Sequence, residues 1–234
     1  MSVQVEITGP GKNALGTPVM EELQARLDAA AGRPLLLTGA GDAFSAGLNL
    51  KEVASLDEPG MDAFLRRLER LVATLWSYPG PSVALVNGHA IAGGCILALC
   101  CDQRLALAQP KLRIGLNEVA LGLRFPPSIL RLVRTRLSPA HLDEVLLGAG
   151  LHGPQDALRL GLVDELVEGD GLEQARARLS ALAAHPPDAY AATKAQLRPA
   201  LIDAASDAAF RAILPTWTSP ELKARIAAIL KPKG

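Results

Sequence analysis

The sequence predicts an α/β protein with a parallel sheet in its first half and mainly helices in its second. Three observations predict it. Short runs of strand character alternate with helical segments up to about residue 108. Two of those runs, 34–38 (PLLLT) and 82–86 (SVALV), are almost wholly apolar, as in strands covered on both faces. The connections between successive runs are long enough to hold crossover helices, which parallel pairing requires.

Taken in order, residues 3–7 alternate in polarity and read as a short strand. Residues 18–31 carry Val19, Leu23 and Leu27 at helical spacing. The strand 34–38 ends at the glycine turn Gly39-Ala-Gly-Asp42. Residues 61–76 place Phe64, Leu65, Leu68, Leu71, Val72 and Leu75 on one side of a helix. The strand 82–86 leads into an apolar, helix-like run behind Gly93-Gly94, and 104–108 returns as a strand. After Gly122, helices are expected at 126–137, 138–148, 154–160 and 172–184, with one strand at 162–167. Pro186-Pro187 breaks the chain, and helices follow at 189–198, 201–213 and 220–230.

The 234 residues are 49% hydrophobic and 21% charged, which suits one globular domain with a full core. Basic and acidic residues balance at 24 each, so no charge excess draws the chain to nucleic acid or an anionic membrane. The longest apolar stretch, 90–101, falls short of the ~20 residues that span a bilayer. The first eight residues read as a strand rather than a leader, and the ending Lys-Pro-Lys-Gly matches no peroxisomal, retention or prenylation signal. Cys95, Cys100 and Cys101 share one apolar run, which points to reduced core thiols and a cytoplasmic protein. Adjacent cysteines on one short helix do not close a tetrahedron, so no metal site is expected.

The chemistry is concentrated at two glycine turns. Gly93-Gly94 opens a helix with no G-x-G-x-x-G and no following Gly-Lys-Ser/Thr, which argues against a nucleotide. Unpaired N–H groups at that helix start suit one developing negative charge on a carbonyl oxygen. The two glycines also suit close helix–strand packing alone. The stretch 43–50 (AFSAGLNL) has the same logic: a strand end, small residues, and an N–H presented after Gly47. Two such turns on neighbouring strands can aim two donors at one oxygen.

The stretches "AFSAGLNLKEV" and "VNGHAIAGGCILALCCDQRLA" resemble the paired signatures of the enoyl-CoA hydratase/isomerase (crotonase) family, in order and at the family's separation. The resemblance implies a ββα spiral core over residues 1–185 and a C-terminal helical trimerisation region over 186–234. It implies an acyl-CoA thioester as substrate, with no separate cofactor, and a homotrimer or hexamer. Carried over position by position, the two N–H groups that bind the thioester oxygen fall on Leu48 and Gly93, flanked by Ala46, Gly47 and Gly94. Lys51, Lys223, Lys231 and Lys233 become candidates for the CoA phosphates.

A hydratase of this family uses two glutamates. The position of the first is occupied here by Ile96, which neither titrates nor orients water. The second falls on Glu118, within "RIGLNEVALGL"; an acid among apolar neighbours is expected to be buried, with a raised pKa. One glutamate without the other resembles the Δ3,Δ2-enoyl-CoA isomerase branch, as do "AGGCILAL", "GLNE" and "SPELKARIAAILKPKG". A different crotonase-type lyase, hydratase or hydrolase, and a non-catalytic acyl-CoA-binding member, are the alternatives. His89 reads as a histidine bonded to backbone, Asp102 as a capping group or a partner for Arg104, and Asn49 and Asn117 as residues that orient backbone near the site.

Overall fold

The computed structural model describes residues 1–203 and 206–231. In chain order it contains β1 (Val3–Ile7), a tight turn α1 (Pro10–Asn13), α2 (Thr17–Ala30), β2 (Leu35–Gly39), β3 (Ala43–Ser45), α3 (Leu50–Ser55), α4 (Glu58–Trp76), β4 (Ser82–Val86), β5 (His89–Ile91), α5 (Gly93–Cys100), β6 (Gln103–Leu107) and β7 (Ile114–Gly115). There follow α6 (Pro127–Arg136), α7 (Leu142–Leu146), α8 (Pro154–Arg159), β8 (Glu165–Val167), α9 (Leu172–Ala183), α10 (Pro187–Leu197), α11 (Ser206–Thr218) and α12 (Pro220–Leu230).

The strands form two parallel sheets. The larger runs β1-β2-β4-β6-β8 and the smaller β3-β5-β7. Each turn of the chain therefore lays one strand in each layer: β2 then β3, β4 then β5, β6 then β7. This is a two-layered ββα spiral, in line with the expected fold. Register in the large sheet pairs Leu36 with Val83 and Ala84 with Arg104. Every residue of β2 and β4 is buried, as their apolar composition requires.

The helices close the faces. Along α4, Phe64, Leu65, Leu68, Leu71, Val72 and Leu75 are buried, and Asp57 caps its start by accepting from the Gly60 N–H at 2.9 Å. Helix α5 is buried at all eight positions. Side chains of the last two helices, Phe210, Trp217, Leu222 and Ile226, join the same core as the spiral.

The small strands β3, β5 and β7 and the helix α3 escape the sequence reading because they are two to six residues long. The segment 138–148 is not one helix: Pro139–His141 is a 3-10 turn started by Ser138, and only Leu142–Leu146 is α-helical. The strand expected at 162–167 is confined to its last three residues. The N–H groups of Leu162 and Val163 are taken by the Ala157 carbonyl at 2.9 and 3.3 Å, closing α8.

Asp102 does not pair with Arg104. Arg104 turns to Asp164, and Asp102 instead gathers Tyr190, Lys194 and Arg198, three residues at four-residue spacing on one face of α10 and its end. Its Oδ2 also accepts from the Ser82 N–H at 2.7 Å. The Arg198 guanidinium adds bonds to the carbonyls of Cys100 (2.9 Å) and Trp76 (2.7 Å). This cluster fastens the C-terminal end of α5 to α10. With Lys194 and Arg198 buried, removing the carboxylate strands two cations. Asp102→Ala is expected to lower unfolding free energy by about 3–5 kcal/mol, measured by urea titration.

Candidate active site

Two backbone turns meet at the N-terminus of α5. At the first, Gly47 has φ +88 and the peptide after it is held by a bridge to Leu15. The Leu15 N–H donates to the Gly47 carbonyl at 2.7 Å, and the Asn49 N–H donates to the Leu15 carbonyl at 3.1 Å. These two bonds leave the Leu48 N–H facing the other way. At the second turn, Ala92 adopts φ +49 and ψ −118, a strained conformation for a side chain with a Cβ, and it turns the chain from β5 into α5. The Ala92 N–H donates to the Gly115 carbonyl at 2.8 Å and its carbonyl accepts from Ile96 at 3.0 Å, which fix the turn from both sides. Neither the Leu48 nor the Gly93 N–H has an acceptor among the described residues.

The turns touch. A Cβ on Gly47 would lie 2.8 Å from the Ile91 carbonyl oxygen and 3.5 Å from the Gly93 nitrogen. A Cβ on Gly94 would run into the Ser45 carbonyl. Ser45 is fully buried and braces the first turn, donating to the Asn13 carbonyl at 2.8 Å and accepting from the Gly47 N–H at 3.2 Å. The glycines therefore serve both purposes open from sequence: they allow the contact and they present the donors.

The meeting point opens into a cavity of about 310 Å³. Its walls include Ala46, Leu48, Gly93, Ile96 and Glu118, five of the site residues expected from sequence. Gly47 and Gly94 lie behind this surface as the packing contact. Lys51 and Lys231 are exposed and outside the lining, at the start of α3 and the end of α12. Lys223 donates to the Leu56 carbonyl at 3.2 Å, and Lys233 lies outside the described residues.

Glu118 is the one titratable side chain in this lining among the described residues. It starts a 3-10 turn, Val119–Leu121, and its carbonyl accepts from Leu121 and Leu123 at 3.0 and 2.9 Å. The side chain is 7% exposed and Oε2 has no hydrogen-bond partner. Burial pushes its pKa up to about 7. Beside it, the buried Asn117 Oδ1 is also without a donor. Ile96 is 2% exposed and extends the apolar wall.

The remaining polar residues are structural. His89 Nδ1 accepts from the Arg113 N–H at 3.0 Å, a backbone bond as expected. Asn49 caps α3 through the N–H groups of Lys51 and Glu52. Burial pushes the Cys95 and Cys101 thiols up to about 12, so neither supplies a thiolate near neutrality. No group of three or more potential metal ligands occurs among the described residues, and no described helix is long and apolar enough to cross a membrane. Sequence reasoning missed Ala92, whose conformation leaves no trace in composition. It also missed the cavity walls from α11 and α12, Trp217, Leu222 and Ile226.

Residues 3–214 match the family model for enoyl-CoA hydratase/isomerase, so the chain belongs to that family. Over 69% of the chain it is 35% identical to a putative enoyl-CoA hydratase of Thermus thermophilus, and over 68% it is 33% identical to the mitochondrial enoyl-CoA delta isomerase 1 of mouse. These matches span 64% and 56% of the two relatives, somewhat more than half their length. The human mitochondrial delta3-delta2-enoyl-CoA isomerase superposes with a TM-score of 0.89 at 25% identity, over 98% of this chain and 92% of that one.

A carboxyl held near pKa 7 keeps its proton in the folded chain and releases it in the unfolded chain between about pH 4.5 and 7. Stability from this group is thus full below pH 4.5 and lost as pH rises through 7. Glu118→Gln is expected to be more stable than the parent at pH 8, by up to about 3 kcal/mol, with the difference vanishing near pH 4. Paired thermal melts across that range provide the check.

Proposed function

We propose that the chain shifts the double bond of a 3-enoyl-CoA to give the 2-enoyl-CoA, with Glu118 as the single proton shuttle. The observation that carries this reading is the solitary buried carboxyl in an otherwise apolar cavity, beside two free N–H groups. The Glu118 carboxylate takes a proton from C2. The electrons move toward the thioester carbonyl, and its oxygen accepts from the Leu48 and Gly93 N–H groups. The protonated Glu118 then returns the proton at C4, and the double bond settles between C2 and C3.

No water enters this sequence, and Ile96 occupies the place where the resemblance puts the first glutamate of a hydratase. Relatives named as hydratases and as isomerases are both at about one-third identity, so the support for isomerisation comes from these side chains. Lys51 on α3 and Lys231 just past α12, two helices that border the cavity through Leu50 and Ile229, are the proposed contacts for the CoA phosphates. The buried thiols support a reducing compartment, here the cytoplasm.

Glu118→Gln keeps the shape of the side chain and removes its basicity. Isomerase turnover with 3-enoyl-CoA should fall by about 10²–10⁴-fold, while CoA-thioester binding persists in calorimetry. In the parent, kcat/KM should rise with pH through an apparent pKa near 7, because the base must be ionised. An active Gln variant, or robust hydration of 2-enoyl-CoA by the parent, overturns the reading.

Assembly as a homotrimer or hexamer through residues 186–234 is part of the same proposal. It is supported by side chains left uncovered on that region, Leu197 at 72% exposure and Ile202 at 48%. Light scattering should give three or six times the 24.5 kDa chain mass; a stable monomer at micromolar concentration contradicts it.

A further inference from the structure

Glu118 heads a turn with few anchors. Val119–Leu121 follows it as a 3-10 turn, and Gly122 closes that turn in a left-handed conformation, φ +76. The Leu121 N–H donates to the Glu118 carbonyl at 3.0 Å and the Gly122 N–H to the Val119 carbonyl at 2.9 Å, both within the turn. Its outer side is solvent, with Val119 and Ala120 exposed. Among the described residues, one hydrogen bond reaches 118–122 from another element. It comes from α12, where the Arg225 guanidinium donates to the Leu121 carbonyl at 2.9 Å.

Arg225 has no carboxylate partner among the described residues. Its Nη1 lies over Gly122, where a Cβ would overlap it, so the glycine makes room for the guanidinium as well as for the positive φ. Leu222 and Ile226, on the same helix, are buried and line the same cavity as Glu118. Lys223 ties that helix to the end of α3, donating to the Leu56 carbonyl at 3.2 Å. Helix α12 thus carries two polar ties, and only one of them reaches the turn of Glu118.

Resting on the role of Glu118 read above, we propose that Arg225 is a positioning residue for the reaction: by clasping the Leu121 carbonyl, it holds the Glu118 carboxyl inside the dry cavity. Arg225 lies outside the cavity lining, so it acts through the turn and not on the substrate. The path is short. The 121–122 peptide accepts from Arg225 and donates onward to Val119, while the Leu121 N–H holds the Glu118 carbonyl. A single base that serves two carbons depends on being held in place. Without the clasp the turn is free to swing outward, and water reaches the carboxyl. The burial that pushes its pKa up to about 7 is then relaxed. The Cys95 thiol of α5 also feels the charge of Glu118, and burial keeps that thiol neutral.

The test compares three variants of the full chain. Arg225→Met keeps the stem and removes the donors, Arg225→Lys keeps a donor, and Lys223→Met cuts the other tie of the same helix. Arg225 is exposed, so its replacement leaves the core intact; circular dichroism confirms the fold of each variant. In Arg225→Met, kcat with 3-enoyl-CoA should fall by about 10- to 100-fold, with KM little changed. Its apparent pKa in kcat/KM should move down from about 7 toward the ordinary carboxylate range. Arg225→Lys should recover most of both, and Lys223→Met should keep the apparent pKa of the parent. Infrared difference titration of the parent against Glu118→Gln, repeated in the Arg225→Met background, reads the same pKa without turnover. A parent-like kcat and pH profile in Arg225→Met overturns the proposal. So does an equal shift in Lys223→Met, which makes the effect one of the whole helix. If the parent does not isomerise, the reaction proposed above falls; an infrared shift confined to Arg225→Met then leaves the clasp standing, and no shift removes it too.

Discussion

The contact between two backbone turns, Gly47 against Gly93 and Gly94 against Ser45, is the constraint on which the rest of the molecule depends. No side chain fits between them, so the small sheet and the start of α5 share a fixed spacing. That spacing places two free N–H groups at the head of one cavity. The spiral of strands supplies it: β3 and β5 are neighbours in the small sheet, and the two turns follow directly from their ends. Layer, turn and donor are thus one construction, repeated at successive turns of the chain.

Electrostatics at the site follow from what is left out. The lining gives Glu118 no cation and its Oε2 no donor, so solvent exclusion dominates its affinity for a proton and outweighs the opposing bond from its own backbone N–H. The opposite end of α5 is built by the contrary principle. There Asp102 is saturated with donors and surrounded by cations, and Lys194 is brought down to about 8 by burial. The start of α5 faces the cavity that holds a carboxyl with an unpartnered oxygen, and its far end leads into a carboxylate that collects donors.

Most of the large sheet was legible in the sequence because β2 and β4 are almost wholly apolar and β1 alternates in polarity, and the bounds of β1 and β4 coincide with the expected ones. The helices were legible where one face is apolar over several turns, as in α4. The small sheet was not, since three residues of backbone pairing leave no periodic signal. At the site, Glu118, Leu48, Gly93 and Ile96 were found through motif resemblance, and the structure brings all four to one cavity. Trp217 and Ile226 were not found, because an apolar residue a hundred positions away reads the same in a core as in a binding wall. Asp102 was seen but assigned the wrong partner; the nearer arginine in sequence lies on a strand whose pleat turns it toward Asp164.

The Asp102 cluster also bears on the order in which the chain becomes a protein. Its partners Tyr190, Lys194 and Arg198 follow it by 88, 92 and 96 residues. During synthesis, the spiral can lay down its strands from β1 onward, with Ser82 and Arg136 already bonded to Asp102 and the carbonyls beside it, yet the Cys100 carbonyl and Asp102 Oδ1 wait for α10 and its end. Until then the end of that helix is held by Ser82 and Arg136 without the cations of α10. The clamp on the far end of α5 therefore closes a long loop and rests on contacts of high sequence separation rather than on local propensity. A nascent chain cut short before Tyr190 carries both glycine turns and still lacks the clamp that holds them still.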